Sequence, residues 1–390
     1  MTGRTVLSGA RVFDGTTLHD GLAVVMDQQR IAALAPLEAV QDDLARDDVA
    51  HMVLGGGILS PGFVDLQVNG GGGVLFNDRP DVPTLQRIAQ AHAGLGATTI
   101  MPTLITDTAD RTLAAIAAVC EAMALDVPGI GGLHLEGPHI APARKGAHDP
   151  GRIREMDDAD LAVLLGAARR LPTLIVTLAP ESVRPEQIAA LAKAGVTVSL
   201  GHSDCSLEQA QAAFGAGARM VTHLFNAMSQ LGSRAPGLVG AALGAPGVSS
   251  GIIADLVHVH PATLQVALAA DAQKDGLFLV SDAMAPAGSA IDAFTLTGQR
   301  VFRRDRTLRL GDGTLAGADL DLPTAVRNLV GVGVPLERAL SMATRRPARA
   351  AGVNAGVLQA GCAADLVYLS DALELCAVWQ RGQPVPLSPV

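Results

Sequence analysis

The sequence predicts an α/β protein, a (β/α)8 barrel of the TIM type carrying a small β-sandwich built from both chain ends. Three observations lead there. Eight apolar runs of β character follow residue 61: "GFVDLQV", "ATTIMPT", "GGLHLEG", "TLIVTLAPE", "VTVSLGHS", "MVTHLFN", "SGIIAD" and "LFLVSDA". They spread over residues 62–283, near the roughly 30 residues that one βα unit takes. Ala-rich segments with helical spacing lie between them, such as "DVPTLQRIAQAHAGLG" (81–96) and "PEQIAALAKAG" (185–195). Strands alternating with helices in this way mark a parallel sheet. Finally, both chain ends carry short apolar runs broken by turns, with no helical spacing.

Taken in order, residues 1–60 contain "TVLSGARVFDG", "LAVVMDQQRIAAL" and "MVLGGGILSPG", which read as strands. Residues 61–352 form the barrel. After the eighth run, the chain to about residue 350 is expected to supply further helices, including "LPTAVRNLVGVG" and "PLERALSMATRRPARAAG". The texture then returns to β in "GVLQAGCAADLVYLS" (356–370) and "LCAVWQRGQPV" (375–385). Residues 1–60 plus 353–390 therefore make the second, small domain, and the two termini meet in it. The longest uncharged stretch, "APGLVGAALGAPGVSSGIIA" (235–254), is dense in Gly, Pro and Ser. It reads as loop and short strand, not as a membrane span.

Composition narrows the function classes. The 390 residues are 49% hydrophobic and 17% charged, which is globular rather than disordered. A net charge of −9 argues against a nucleic-acid partner, which needs a basic face. A small anionic substrate remains open, provided a local cation meets it. The four cysteines, Cys120, Cys205, Cys362 and Cys376, are scattered, so neither a disulfide framework nor a thiolate zinc site is indicated. "MTGRTVLSGARVFDG" lacks the apolar core of a signal peptide, and the expected compartment is the cytoplasm.

The chemistry is read from the strand ends, because the C-terminal ends of barrel strands converge on one mouth. The first run ends in Gln67 and Asn69, the third in Glu136, the fourth in Glu181 and the fifth in His202. The sixth ends in His223 and Asn226, the seventh near Asp255 with His258 just beyond, and the eighth in Asp282. One carboxylate and two neutral imidazoles, Glu136, His202 and His223, form a ligand set for a catalytic metal with a position open for water. A lone strand-end histidine is as readily a hydrogen-bonded core residue; the set taken together favours a metal. Asp282 is the best candidate for the acid and base, against a reading as a turn or cap residue. His258 can bind substrate or polarise a carbonyl, while His260, preceding Pro261, reads as a turn residue. Arg234, in the loop "SRAPGLVG", suits a phosphate or carboxylate, or is simply solvated. Lys145 and His148 in "ARKGAHDP" are weaker candidates, and Cys205 reads as a small buried residue.

Together, "PGFVDLQVNG", "HLEGPHI…KGAHDP", "VSLGHS", "THLFNAM…RAPGLVGA" and "VSDAMAP" resemble the signature segments of the N-acetylglucosamine-6-phosphate deacetylases of the amidohydrolase superfamily. The likeness runs in order from about residue 60 to 320, and "GVLQAGCAADLVYL" resembles the superfamily's closing β-segment. The resemblance implies a cytosolic homodimer that removes acetate from the 2-acetamido group of a phosphorylated N-acetylated amino sugar. It implies Glu136, His202 and His223 as ligands of one divalent metal per subunit, zinc first, with iron, manganese or cobalt also suited. Asp282 matches the catalytic acid/base, and His258 the histidine that helps polarise the acetyl carbonyl. Ala147, Asn226 and Ala227 match substrate-contacting positions, and Leu315, Ala316 and Gly317 match a loop that closes over the sugar. Arg234 matches a phosphate-binding arginine that members of the family can receive from the partner subunit.

Two departures stand out. Many amidohydrolases carry His-x-His after the first strand, where this chain has Gln67-Val68-Asn69; this vestigial second-metal position argues for a single tightly held metal. The family often has Asp-Gly-x-His before the substrate histidine, where this chain has Asp255-Leu256-Val257-His258, with less backbone freedom. The rivals are the same chemistry on N-acetylgalactosamine-6-phosphate or a cyclic amide, and a non-catalytic relative that binds a sugar phosphate.

Overall fold

The computed structural model describes residues 3–271 and 275–390. Eight parallel strands follow one another around the barrel: Phe63–Val68, Ala97–Ile105, Leu133–Glu136, Leu174–Leu178, Thr197–Leu200, Met220–Val221, Ser249–Ile252 and Leu277–Leu279. A bridge between Val68 and Ala283 closes the ring from the first strand to the residues just past the eighth. The first and third strands are buried at every position, as expected where a parallel sheet is covered on both sides.

Side chains fix several helix starts, and these set where the mouth loops before them end. Asp81 caps the helix Val82–Ala93, its carboxylate accepting from the Thr84 N–H at 3.0 Å. Ser206 and Gln209 form a capping box on Leu207–Ala216, so the loop carrying His202 is pinned within four residues of that histidine.

The chain ends pair directly. Leu366–Leu369 runs antiparallel to Ile58–Pro61, with Leu366 opposite Pro61 and Leu369 opposite Ile58. Those strands belong to a six-stranded sheet that faces a four-stranded sheet of N-terminal residues. Leu7, Val12, Met26, Leu59, Leu366 and Trp379 make up their shared apolar core.

Two stretches differ from expectation. The chain after the eighth barrel strand does supply helices, at Leu322–Gly331, Leu336–Ala343 and Arg345–Ala351, but a four-stranded antiparallel sheet precedes them. Its strands are Ala293–Leu296, Gln299–Arg304, Thr307–Leu310 and Leu315–Ala318. Phe294, Leu296, Val301, Leu308 and Ala316 pack inward on Leu75, Ile105, Met284 and Ala285. The alternation in "FTLTGQRVFRRDRTLRL" and the turn dipeptides Thr-Gly and Asp-Gly carried this signal. Leu315–Gly317 is thus strand, not loop. In 235–254, a helix, Gly237–Gly244, precedes the expected short strand. Burial of Leu238, Val239, Ala241 and Ala242 overrides the poor helix propensity of its glycines.

Candidate metal and substrate site

The third strand ends on Glu136, and His202 and His223 stand just past the fifth and sixth. Glu136 Oε1 lies 3.3 Å from His202 Nε2 and 3.1 Å from His223 Nε2, and the two nitrogens are 3.0 Å apart. Ligand atoms about 2.0–2.1 Å from a tetrahedral zinc stand roughly 3.3–3.4 Å from one another, so the triangle has the size of one face of such a site. The proton inventory points the same way. His202 Nδ1 donates to the Arg144 carbonyl at 2.8 Å, which leaves its Nε2 with a lone pair. That lone pair and the carboxylate oxygen face each other; Gln67 Nε2 donates to the oxygen, and only a proton on His223 is left for the His202 nitrogen. A cation satisfies all three, and the residues fit one.

His134 and His139, which flank Glu136 in sequence, are not its partners. His134 Nδ1 donates to the Leu66 carbonyl at 2.9 Å, and its Nε2 meets the Thr177 hydroxyl at 2.7 Å. His139 Nδ1 donates to the Arg154 carbonyl at 3.2 Å. Gly137 turns the chain after Glu136 with φ +84, and a Cβ there would run into the Thr106 hydroxyl. Burial would push the Glu136 carboxyl up, but the imidazoles of His202 and His223 override it and hold it well below the usual carboxylate range.

Gln67 and Asn69 place amide donors where His-x-His would place imidazoles. Gln67 Nε2 donates to Glu136 Oε1 and to Asp282 Oδ1, each at 3.1 Å. Asn69 Nδ2 donates to the same Asp282 oxygen at 2.7 Å. Burial first, and the neighbouring Glu136 charge second, push the Asp282 carboxyl up to about 6. Beneath them Asp65 is fully buried, accepts from the Gln67 and Ser281 N–H groups, and is pushed up to about 7 by burial.

On the seventh strand's exit, Asp255 Oδ1 accepts from the N–H groups of Val257 and His258 at 2.9 and 2.8 Å. Its Oδ2 lies 2.6 Å from His258 Nδ1. Leu256, where the family often has glycine, has φ +66, a left-handed conformation that costs a leucine roughly 1–2 kcal/mol. His202, His223, Ala227 and Asp282 also have positive φ. Backbone held against its preference at several adjacent strand ends is a mark of a functional mouth.

A cavity of about 380 Å³ opens at this mouth. Of the residues singled out from the sequence, Asn69, Glu136, Ala147, His202, His223, Asn226, Ala227, His258, Asp282, Leu315 and Gly317 line it. Gln67 sits behind, 2% exposed. Ala316 points into the apolar core of the hairpin sheet. Arg234 lies exposed in the loop before Gly237, away from the cavity wall of this single chain. Glu181 is exposed and clamps the loop after His202, accepting from the Ser203 hydroxyl and the Asp204 N–H. Cys205 is buried, and burial pushes its thiol up to about 11. His260 caps the helix Pro261–Ala270.

His148 belongs more firmly to the site than its sequence context suggested. Its ring lies 4.3 Å from that of His202, its Nδ1 meets the Thr106 hydroxyl at 2.7 Å, and burial drives it down to about 3. Glu136, His148 and His202 also bring one ligand atom each within 4.8 Å of one another. Ile105, Met284, Leu296 and Thr314 are also in the wall. Met284 lies in the "VSDAMAP" segment just past Asp282, while Ile105, Leu296 and Thr314, from an apolar strand and the unanticipated hairpin sheet, had no signal in the sequence.

With fold and geometry in place, the comparisons define the class. Residues 58–385 match the amidohydrolase family, and the chain belongs to it. The N-acetylgalactosamine-6-phosphate deacetylase of Shewanella sp. (strain ANA-3) is 43% identical over 380 residues, 97% of this chain and 95% of that protein. The crystal structure of N-acetylglucosamine-6-phosphate deacetylase from Pasteurella multocida superposes with a TM-score of 0.92, at 32% identity, over 98% of this chain and 99% of that one. A Mycobacterium smegmatis N-acetyl-D-glucosamine-6-phosphate deacetylase mutant in complex with N-acetyl-D-glucosamine-6-phosphate superposes with a TM-score of 0.89, at 31% identity, over 98% and 99%. Among the described residues, no helix is long and apolar enough to cross a membrane.

Proposed function

We propose that this chain hydrolyses the 2-acetamido group of an N-acetylated amino-sugar 6-phosphate, N-acetylglucosamine-6-phosphate first, giving acetate and the amino-sugar phosphate. The observation that carries the reading is the Glu136–His202–His223 triangle beside Asp282 in one cavity. The close relatives, deacetylases of such sugars, supply the substrate class. Glu136, His202 and His223 hold one divalent ion per subunit, zinc first, since a carboxylate with two imidazoles also suits iron, manganese or cobalt. Such an ion supplies Lewis acidity, making water a nucleophile near neutral pH and polarising a carbonyl.

The chain's own groups do the rest. Asp282, ionised above about pH 6, takes the proton of the attacking water on Oδ2, the oxygen that Asn69 and Gln67 leave free, as the water oxygen bonds to the acetyl carbon. It returns that proton to the amide nitrogen as the C–N bond breaks. His258 supports the carbonyl oxygen across the cavity. Asn226, Ala227 and Ala147 contact the sugar, and the strand Leu315–Ala318 walls it in. Arg234 binds the phosphate of a substrate in the partner subunit's site, so binding energy remote from the carbonyl orients it. The compartment is the cytoplasm.

A second reading, N-acetylgalactosamine-6-phosphate, draws on the 43% identity to a deacetylase of that sugar. Acetate release from purified protein with the two epimers, with metal content per chain on the same sample, tests both. Turnover with about one metal per chain supports the site reading, and the ratio of kcat/KM values assigns the epimer. No turnover on either, with metal bound, overturns the substrate.

A further inference from the structure

Asp255, which no part of the mechanism above uses, is paired with His258. Both side chains are nearly sealed, 6% and 7% exposed. Asp255 divides its oxygens: Oδ1 accepts the Val257 and His258 N–H groups, while Oδ2 sits 2.6 Å from His258 Nδ1. Burial would raise the Asp255 carboxyl, but the His258 ring and these N–H groups override it and keep it ionised at neutral pH. An ionised carboxylate only accepts, so Nδ1 must carry a proton. In a neutral ring Nε2 then has a lone pair and no hydrogen. We propose that Asp255 is the positioning residue for His258: it commits Nδ1–H, so that His258 donates from Nε2 to the substrate only as an imidazolium.

The consequence for the reaction, resting on the deacetylase reading in which His258 meets the acetyl oxygen, is a charged hydrogen-bond donor where negative charge develops. Charge-assisted hydrogen bonds are roughly twice as strong as neutral ones, and a donor aimed at a developing oxyanion acts in the transition state. Asp255 supplies the counter-charge that allows a sealed imidazolium. The other charged or titratable groups on the cavity wall are Arg144, Glu136, His148, His202, His223 and Asp282. Of these, Asp282 interacts with the His258 charge.

Asp255→Asn tests the assignment with little change in shape. With Oδ1 still taking the two backbone N–H groups, the new NH2 faces His258 Nδ1 and needs a lone pair there. The ring must invert its protonation, leaving Nε2–H on a neutral imidazole. In the zinc-loaded chain labelled with 15N-histidine, His258 is assigned by the signals lost in His258→Gln. At a pH where the ring is neutral, Nδ1 is expected to carry the proton in the wild type and Nε2 in Asp255→Asn. The same nitrogen protonated in both overturns the proposal. Asp255→Ser keeps an oxygen for the backbone but does not reach the ring, and a mixture of tautomers is expected.

Kinetics gives the second arm. Wild-type kcat should fall at alkaline pH as the imidazolium is lost. Asp255→Asn should be about tenfold slower at neutral pH, the loss of one charge-assisted contact, and should lack that alkaline fall. An unchanged alkaline limb overturns the proposal. Absence of acetate release by the wild type sinks the deacetylase reading instead, and the NMR comparison still decides the role of Asp255.

Discussion

Asn69→Leu removes one of the two amide donors that hold Asp282 ionised, and its effect can be worked from the geometry. Asp282 Oδ1 accepts from Asn69 Nδ2 at 2.7 Å and from Gln67 Nε2 at 3.1 Å, so the shorter bond is lost. A hydrogen bond to a charged group is worth about 1.5–3 kcal/mol, and about 1.4 kcal/mol is one pKa unit. The Asp282 carboxyl, already pushed up to about 6, should rise by roughly one to two units more. The sign follows from the role: Asp282 must be ionised to take a proton, so activity lies above its titration and is lost below it. The acidic limb of kcat/KM should therefore move up by about one to two pH units, while the alkaline limb stays where it is in the wild type. A bound cation draws Asp282 down in both proteins and leaves the difference. The fold should tolerate the change, because Asn69 Oδ1 is buried without a hydrogen-bond partner and leucine strands no acceptor. The assay is kcat/KM against pH for wild type and variant at matched metal content. An unmoved acidic limb, or an equal loss at every pH, would refute the assignment of Asn69 as a donor to the ionised base.

Four further outcomes are expected. Glu136→Gln should lose the metal, read as ions per folded chain, because the amide removes the one anionic ligand; full occupancy would take Glu136 out of the ligand set. Asp282→Asn should keep the metal and lose about 10²–10⁴-fold in kcat, whereas loss of metal would make Asp282 a ligand. Arg234→Ala should raise KM for the phosphorylated sugar and leave the unphosphorylated one unchanged. Mixing it with Asp282→Asn should restore turnover if Arg234 reaches the partner's site, and no recovery would place it in its own. Gly317→Ala puts a Cβ at φ +73 against Met284 and the Asp282 carbonyl; a loss of about 1–2 kcal/mol and a raised KM are expected, and an unchanged KM would detach this strand from the substrate.

The barrel was legible because its strands are buried at nearly every position and separated by amphipathic Ala-rich segments, a pattern local to each βα unit. The reading of Gly237–Gly244 as loop followed composition, while four buried apolar side chains decided for helix. The hairpin sheet at 293–318 alternates visibly in the sequence, but the helical segments around it set a different period for that stretch. Glu136, His202, His223 and Asp282 stood out because an ionisable group closing an apolar run is hard to explain by packing. His148 did not, since its "KGAHDP" context is a polar loop with no periodic anchor.

The sequence by itself therefore determined the chemistry: which side chains stand at the strand ends, and that a barrel brings those ends to one mouth. Tertiary structure alone decided how protons and hydrogen bonds are distributed among them. Gln67 reaches Asp282 across 215 positions, where the first and eighth strands close the ring, and Thr106 meets His148 across 42. Even Asp255 and His258, three residues apart, become a pair only because a left-handed Leu256 folds the strand exit back on itself. Periodicity encodes which face of a strand or helix is apolar. It carries no record of which polar atoms meet, because that depends on closure of the barrel and on single backbone angles.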